Sequence, residues 1–552
     1  YALHYSPDGA LTLSGKGVEG GGALPLSFYA AGPSGDLLEK YPHLAGKTIL
    51  KIADADLASV PEILKGQIAV SVRDDKGKLL DVTAPQIAGA LDDLFYTDSP
   101  LGVSYDDGGG YAPASSAPTL RVWAPTARSV TLHLYADSRA QTDIALPMTP
   151  DAATGVWSIS GQPEWNGQFY LYEVEVYVPA TGKIERNFVT DPYSISLSTN
   201  SARSQIVNLN DPALKPADWD TLQKPALDAP EDIVLYELHI RDFSIFDATV
   251  PAAERGTFLA FTHPDSNGMK HLQALADAGL THVHLLPAFD IATTDEDPAR
   301  RTEPDPAQLA ALPPDSEGQQ AIIGPLRDQD GFNWGYDPYH FTAPEGSYAT
   351  DPDGAARVLQ FRQMVQSLDA IGLRVVMDVV YNHTNASGQN ANSVLDRVVP
   401  GYYHRLNDKG EVETSTCCQN TATENRMMVK LMLDSLRVWA TDYKVDGFRF
   451  DLMGHHMLAN MVNVRALLDA LTPAADGVDG RKIYIYGEGG NFGEVADNRR
   501  GVNATQLNIG GTGIGAFNDR LRDGARGGGP FSPLPEQGFI TGLAQTPNAA
   551  ET

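Results

Sequence analysis

Two carboxylates in this sequence are placed to do chemistry. Asp451 closes the apolar run in "DGFRFDLMGHH" (446–456), and Glu488 closes the next one, "IYIYGEG" (483–489). Two acids at the ends of successive strands suit glycoside cleavage. One attacks the anomeric carbon and the other protonates the leaving oxygen, with about 5 to 5.5 Å between them in a retaining enzyme. The attacking carboxylate must be ionised, and a neighbouring cation helps by lowering its pKa. Arg449 lies two residues before Asp451, so strand alternation puts both on one face. Glu488 sits among tyrosines and glycines, where partial desolvation favours the protonated acid. Taken alone, "DGFRFD" also suits an inert buried ion pair.

Other polar residues gather at strand ends. Glu237, His239, Asp378, Asn382 and His383 each fall on the last positions of an apolar run or just beyond it. One such charge could be structural, but recurrence on four strands favours a site at one end of a sheet, as in barrels whose active sites lie at the C-terminal face. A competing reading makes Asp378, His383, Asp451 and Glu488 the ligands of a hydrolytic metal. The residue types allow it, but no tight ligand spacing supports it, and no cysteine or histidine group has zinc-ligand spacing. No Gly-rich phosphate loop links a strand to a helix between the two acids.

The elements that must carry these residues change character near residue 230. Before it, short alternating segments such as "TLRVWAP" (119–125), "SVTLHLY" (129–135) and "QFYLYEVEVYV" (168–178) lie between turns and read as β-sandwich modules. The Gly- and Pro-rich run at 105–119 reads as a linker. Trp123 and Trp157 could be sugar platforms, but their strand-like apolar setting favours the core. After residue 230 strands alternate with amphipathic helices. "DIVLYELHI" (232–240) reads as a strand buried on both faces, "THVHLLP" (281–287) as the next, and "RVVMDVV" (374–380) follows a helix over 351–373. A helix near 425–442 precedes the strand that carries Asp451, and one near 457–471 leads from it to the strand that carries Glu488. Repeated βα units mean an α/β domain, and alternation alone does not separate a closed (β/α)8 barrel from an open doubly wound sheet.

The chain has 552 residues, long enough for roughly three or four domains. Acidic residues outnumber basic ones 70 to 41, for a formal charge of −29. That balance argues against nucleic acid or an anionic membrane as partner, because phosphate is held by basic charge, and a neutral or cationic ligand fits better. No stretch approaches the ~18 to 20 apolar residues of a membrane span. The only cysteines, Cys417 and Cys418, are neighbours. A vicinal disulfide closes a strained eight-membered ring, so two separate thiols are expected. An acidic chain that begins at Tyr1 without a methionine leans toward export, periplasmic or extracellular; the compartment and the oligomeric state are otherwise open.

At the site residues the sequence resembles a known family. "DVVYNHT" (378–384), "DGFRFD" (446–451) and "YGEG" (486–489) resemble the first three signature regions of the α-amylase superfamily, and "FNWGYDP" (332–338) resembles the mark of its pullulanase and limit-dextrinase branch. The resemblance runs from about residue 95 to the end. With the β-rich domain read over 1–94, it implies a multidomain protein: an immunoglobulin-like β-sandwich similar to starch-binding modules over 95–215, and a (β/α)8 catalytic barrel over 216–552. It implies a retaining hydrolase of α-1,6 branch linkages in pullulan, limit dextrins, starch or glycogen. Asp451 would be the nucleophile and Glu488 the acid and base. Arg449 would orient Asp451, and Asp378, Asn382, His383 and Tyr336 would contact the sugar. Trp334 and Asp337 would shape the same subsite. No cofactor is required; a structural calcium is common among relatives, though no ligand cluster in the sequence points to one. The alternatives are a branching enzyme or glucanotransferase of the same superfamily, against which "FNWGYDP" argues, and a non-catalytic α-glucan-binding protein.

Two departures accompany the resemblance. Gly490 stands where the family has a tryptophan, so an acceptor subsite should be looser or open to another residue. The family's third carboxylate, an aspartate in a His-Asp pair on the seventh strand, does not occur after Glu488, and about six barrel strands are present, as expected of part of a longer chain.

Overall fold

The computed structural model of the protein describes residues 1–105, 116–529, 532–533 and 535–543. Most of the run read as a linker lies outside them. Residues up to Thr83 build a five-stranded antiparallel sheet in the order Ile49–Ile52, Gly22–Ala30, Ala2–Ser6, Gln67–Arg73, Leu79–Thr83. The helix Ala88–Phe95 follows and buries Leu91, Asp92 and Phe95.

Two antiparallel sheets come next, one built on Ala127–Tyr135 and Phe169–Val178, the other on Pro118–Trp123 and Val156–Ser160. Alternation along each strand turns Leu120, Val122, Leu132, Tyr172 and Val174 into a shared interior. Trp123 and Trp157 belong to that interior. Their indole N–H groups donate to the carbonyls of Phe95 at 2.9 Å and Ala124 at 3.0 Å, so they are core and not sugar platforms.

The third unit is a six-stranded parallel sheet: β1 (Leu235–Leu238), β2 (His282–Leu285), β3 (Arg374–Val379), β4 (Gly447–Phe450), β5 (Tyr484–Gly487) and β6 (Gly515–Ala516). Each strand lies beside its neighbour in sequence. Helices α1 (Asn267–Asp277), α2 (Ala356–Ala370), α3 (Arg426–Thr441) and α4 (Leu458–Asp469) fill the connections. Strands β2 to β4 are buried along their whole length, as parallel strands covered on both faces must be. Strand β1 departs from expectation. Leu235, Tyr236 and Glu237 are exposed, because among the described residues β1 is an edge paired only with β2.

The units dock through buried polar contacts. Asp92 accepts the Arg426 amide at the start of α3, at 3.0 and 3.2 Å from its two oxygens, and the Tyr402 hydroxyl. A carboxylate from the first unit thus sits at the positive end of a helix in the third. Trp123 packs on Tyr402 with ring centroids 4.6 Å apart.

Beneath the sheet, Asp446 accepts the Val375 amide and pairs with Lys224 at 2.9 Å and Arg374 at 3.2 Å. This is a structural ion cluster at the N-terminal ends of β3 and β4. The two aspartates of "DGFRFD" therefore serve opposite ends of one strand.

Candidate active site

The site stands at the C-terminal ends of β3, β4 and β5. Asp378 is the next-to-last residue of β3, Arg449 is in β4, and Asp451 and Glu488 lie just past β4 and β5. Register fixes the grouping: Asp378 is opposite Arg449, and Phe450 is opposite Gly487.

One guanidinium joins three carboxylates. Arg449 Nη1 donates to both oxygens of Asp378, at 2.8 and 2.9 Å, and to Asp451 Oδ1 at 3.2 Å. Its Nη2 lies 2.7 Å from Glu488 Oε1. The planar fork of arginine can span partners in this way, whereas an ammonium is a point charge. Asp378 also accepts the Tyr336 hydroxyl at 2.7 Å. Asn382 donates to Asp451, 2.8 Å to its backbone oxygen and 2.9 Å to Oδ2. His383 in turn holds Asn382 Oδ1 at 2.6 Å through Nδ1, and its Nε2 is 2.8 Å from the Tyr336 carbonyl. The result is a single network from "FNWGYDP" through "DVVYNH" to "DGFRFD".

The backbone between β4 and β5 is shaped for this approach. Leu452 has φ 41° and ψ 47°, a left-handed conformation that costs a non-glycine residue on the order of 1 to 3 kcal/mol. It turns its amide onto Glu488 Oε2 at 3.0 Å. Gly454 must be glycine, since a Cβ there would stand 1.9 Å from the Gly490 carbonyl.

The electrostatics differ from the sequence expectation. Arg449 does lower the Asp451 pKa, but burial raises it more, and Asp378 and Glu488 add repulsion, so it is pushed up to about 7. Three carboxylates share one guanidinium, and the cation offsets only part of that charge.

Of the residues in the metal reading, Asp378, Asp451 and Glu488 are paired with Arg449, and among the described residues these three and His383 are not gathered as one ligand group. Trp334 is 65% exposed on the surface. Asp337 turns into its own loop, accepting from Thr293 at 2.5 Å and Asn333 at 3.5 Å. His239 anchors the same loop through the Asn333 carbonyl at 2.7 Å. Beside Gly490 stands Phe492, whose ring would be 3.2 Å from an added Cβ and which packs on His455 at 4.6 Å.

Three features were not read from the sequence. His284, in the middle of β2, has Nε2 3.4 Å from Asp378 Oδ2 and Nδ1 3.3 Å from the Tyr486 hydroxyl. A histidine inside a fully buried strand was the available signal. Cys417 and Cys418, expected as separate thiols, are paired in a disulfide; the ring closes around an ordinary trans peptide, with Cα atoms 3.8 Å apart. Finally, Asp290, Glu296 and Glu345 form a buried acidic group. Arg357 Nη2 reaches Glu296 Oε2 at 3.1 Å, and Glu296 Oε1 has no hydrogen-bond partner. An all-carboxylate donor set suits a hard cation such as calcium.

Comparison with known proteins bears on this geometry. Residues 1–93 match the Pullulanase N2 domain family, and residues 100–194 match the carbohydrate-binding module 48 (isoamylase N-terminal domain) family. The chain is 46% identical to "Pullulanase 1, chloroplastic" of Arabidopsis thaliana over 552 residues, covering 99% of this chain and 56% of that protein. It is 41% identical to the pullulanase of Klebsiella pneumoniae, covering 99% of this chain and 52% of that one. Over almost its whole length the chain is similar to pullulanases. Among solved structures it superimposes on the maltotriose complex of the PulA-G680L mutant from Klebsiella pneumoniae with a TM-score of 0.90 and 40% identity. That match covers 100% of this chain and 62% of that one. The chain thus spans about half the length of the curated pullulanases it matches. No helix among the described residues is long and apolar enough to cross a membrane.

Proposed function

We propose that this chain carries the site of a retaining debranching hydrolase that cleaves α-1,6-glucosidic linkages in pullulan, limit dextrins, starch or glycogen. The observation that carries the reading is Arg449 bridging Asp451 and Glu488 at the ends of successive parallel strands. Asp451, as carboxylate, attacks the anomeric carbon and forms a glycosyl-enzyme. Glu488 donates its proton to the departing 1,6-oxygen and then takes one from the incoming water. Arg449 aims both acids. Asp378, held by Arg449 and Tyr336, accepts from sugar hydroxyls, and Asn382 fixes the free oxygen of Asp451. His383, Tyr336 and the exposed Trp334 face the sugar, with Asp337 shaping their loop. The chemistry asks for no metal, because Arg449 supplies the positive charge.

In this reading the parallel sheet is six strands of a (β/α)8 barrel. Sequential strand order supports that over a doubly wound sheet, which reverses order at a switch point. The exposed outer edge of β1 suits a strand that pairs with the closing strand of a barrel. The domains in this reading are 1–94, 95–215 and 216–552, the second a starch-binding type of sandwich. Asp290, Glu296 and Glu345 are the residues that would hold a structural calcium, with Glu296 Oε1 free to ligate it. The test of calcium is the melting temperature with and without a calcium chelator, compared with Glu296→Gln.

The deciding experiment incubates the full-length protein with pullulan and analyses the products. Maltotriose is expected. Transferred chains or new branches would mean a transferase, and binding without cleavage would mean a carbohydrate-binding protein. Asp451→Asn and Glu488→Gln should each remove hydrolysis without loss of folding.

A further inference from the structure

The disulfide lies against the imidazole of His383. Residues His383–Thr384 pair antiparallel with Gln419–Asn420, which hangs the turn carrying both cysteines beside the histidine. Cys417 Sγ is 3.5 Å from His383 Nε2, and the ligand atoms of His383, Cys417 and Cys418 all lie within 4.8 Å of one another. Cys417 is exposed and Cys418 partly so, whereas His383 is buried. Reductants and cations therefore reach the sulfurs from solvent, with the imidazole waiting behind them.

We propose that reduction of the Cys417–Cys418 disulfide turns this corner of the pocket into a soft-metal site, with Cys417, Cys418 and His383 as ligands for zinc or a similar thiophilic cation. In the disulfide the sulfurs carry no charge and are poor ligands; the thiolate is the metal-binding form. A dithiol reductant supplies two electrons and two protons, breaks the S–S bond and is itself oxidised to a disulfide. Zinc then displaces the two thiol protons to water and takes two thiolates and Nε2, which gives up its 2.8 Å hydrogen bond to the Tyr336 carbonyl, its proton passing through solvent as the ring turns to the metal. A water completes the tetrahedral set that zinc favours. In the metal-bound ring the proton is on Nδ1, facing Asn382 Oδ1 at 2.6 Å. A hydrogen bond of this kind on the far nitrogen is what fixes the tautomer of ligating histidines. The sequence hides the site because His383 lies 34 residues from Cys417, far outside short ligand spacings.

Metal capture has a consequence that rests on the proposed function. His383 leaves the sugar for the metal, and Asn382, which it holds, also holds Asp451. Zinc at this point blocks the pocket and disturbs the nucleophile.

The test uses the full-length protein, oxidised or reduced with a dithiol and then freed of it. Thiol titration establishes the state of the cysteines. Cobalt(II) is added as a spectroscopic probe and then displaced by zinc. Reduced protein should take up one cobalt per chain with a thiolate-to-metal charge-transfer band and tetrahedral d–d bands. Oxidised protein and the Cys417→Ser/Cys418→Ser variant should lack both, with zinc affinity at least tenfold weaker. The same bands in the double variant, or titratable thiols that bind no cobalt, would overturn the site. In the second arm, zinc should inhibit pullulan hydrolysis after reduction and leave the double variant unaffected. Zinc binding to reduced protein without inhibition would overturn the blocking role alone. Absence of hydrolysis in every state would overturn the debranching reading and leave the metal test standing.

Discussion

Replacing Arg449 with lysine tests the central geometry while keeping a positive charge. The arginine serves Asp378 and Asp451 from Nη1 and Glu488 from Nη2, the last at 2.7 Å. A single ammonium cannot cover both nitrogens' positions, so the bond to Glu488 is lost first. A hydrogen bond to a charged group contributes about 1.5 to 3 kcal/mol. If that bond serves only to aim the acid in the transition state, kcat on pullulan should fall roughly tenfold to 150-fold, at about 1.36 kcal/mol per decade. The pH profile should move as well. Arg449 is the largest influence lowering the Asp451 pKa, which burial holds at about 7. Activity requires the carboxylate, so it falls as pH drops through that value. A weaker cation should shift the acid limb of kcat/KM upward, since more hydroxide is then needed to ionise Asp451. The assay is pullulan hydrolysis by the full-length protein across pH, beside a thermal melt to verify folding. A folded Arg449→Lys protein with an unmoved acid limb would refute the view that this guanidinium tunes Asp451.

Other outcomes follow from the same contacts. Removing the like charge with Asp378→Asn should lower the acid limb of whatever activity remains, opposite in sign to Arg449→Lys; an upward shift in the pH profile counts against the shared-charge account. In Gly490→Trp the ring of Phe492, 3.2 Å from the new Cβ, must move aside. KM for short-branched dextrins should then fall with kcat little changed, and unchanged values of both would sink the idea that Gly490 leaves a subsite loose. Glu494 is held at about pKa 2 by Arg405, Ser415 and Asn420, which outweigh its burial. Its lowered pKa means stability that is present above the ordinary glutamate range and lost as pH falls toward 2, on the order of 3 kcal/mol. Melts from pH 6 to pH 3 should drop less steeply in Glu494→Gln than in the parent. Asp92→Ala leaves the Arg426 amide and Tyr402 hydroxyl without their acceptor. Each unmet group costs about 1 to 3 kcal/mol, which should appear as a lower melting temperature and faster proteolysis between the first unit and the rest.

Much of the site could be read from local pattern. Asp451 and Glu488 each follow an apolar run, and a strand end is a local property of the chain. The pairing of Arg449 with the strand-end acids needed only the two-residue period of a strand. The tryptophans also obeyed their surroundings, since alternation in "TLRVWAP" already turned Trp123 inward. The edge strand was misread because "DIVLYELHI" carries no mark of which strands flank it; burial on a second face is decided by a neighbour the run cannot specify.

Local spacing was enough to place the alternation of strands and helices, the two acids, the arginine beside them and the resemblance that linked them. Those are matters of spacing within a few tens of residues, where backbone geometry fixes which side chains share a face. How the charges are shared depends on the folded packing. Parallel register set Asp378 against Arg449, so one guanidinium answers three carboxylates and Asp451 rises to about 7 where a simple pair would have lowered it. The same closure brought His284 onto Asp378 and laid Cys417 against His383. Contacts of this kind join residues tens of positions apart, and their energies depend on burial, which no local spacing encodes.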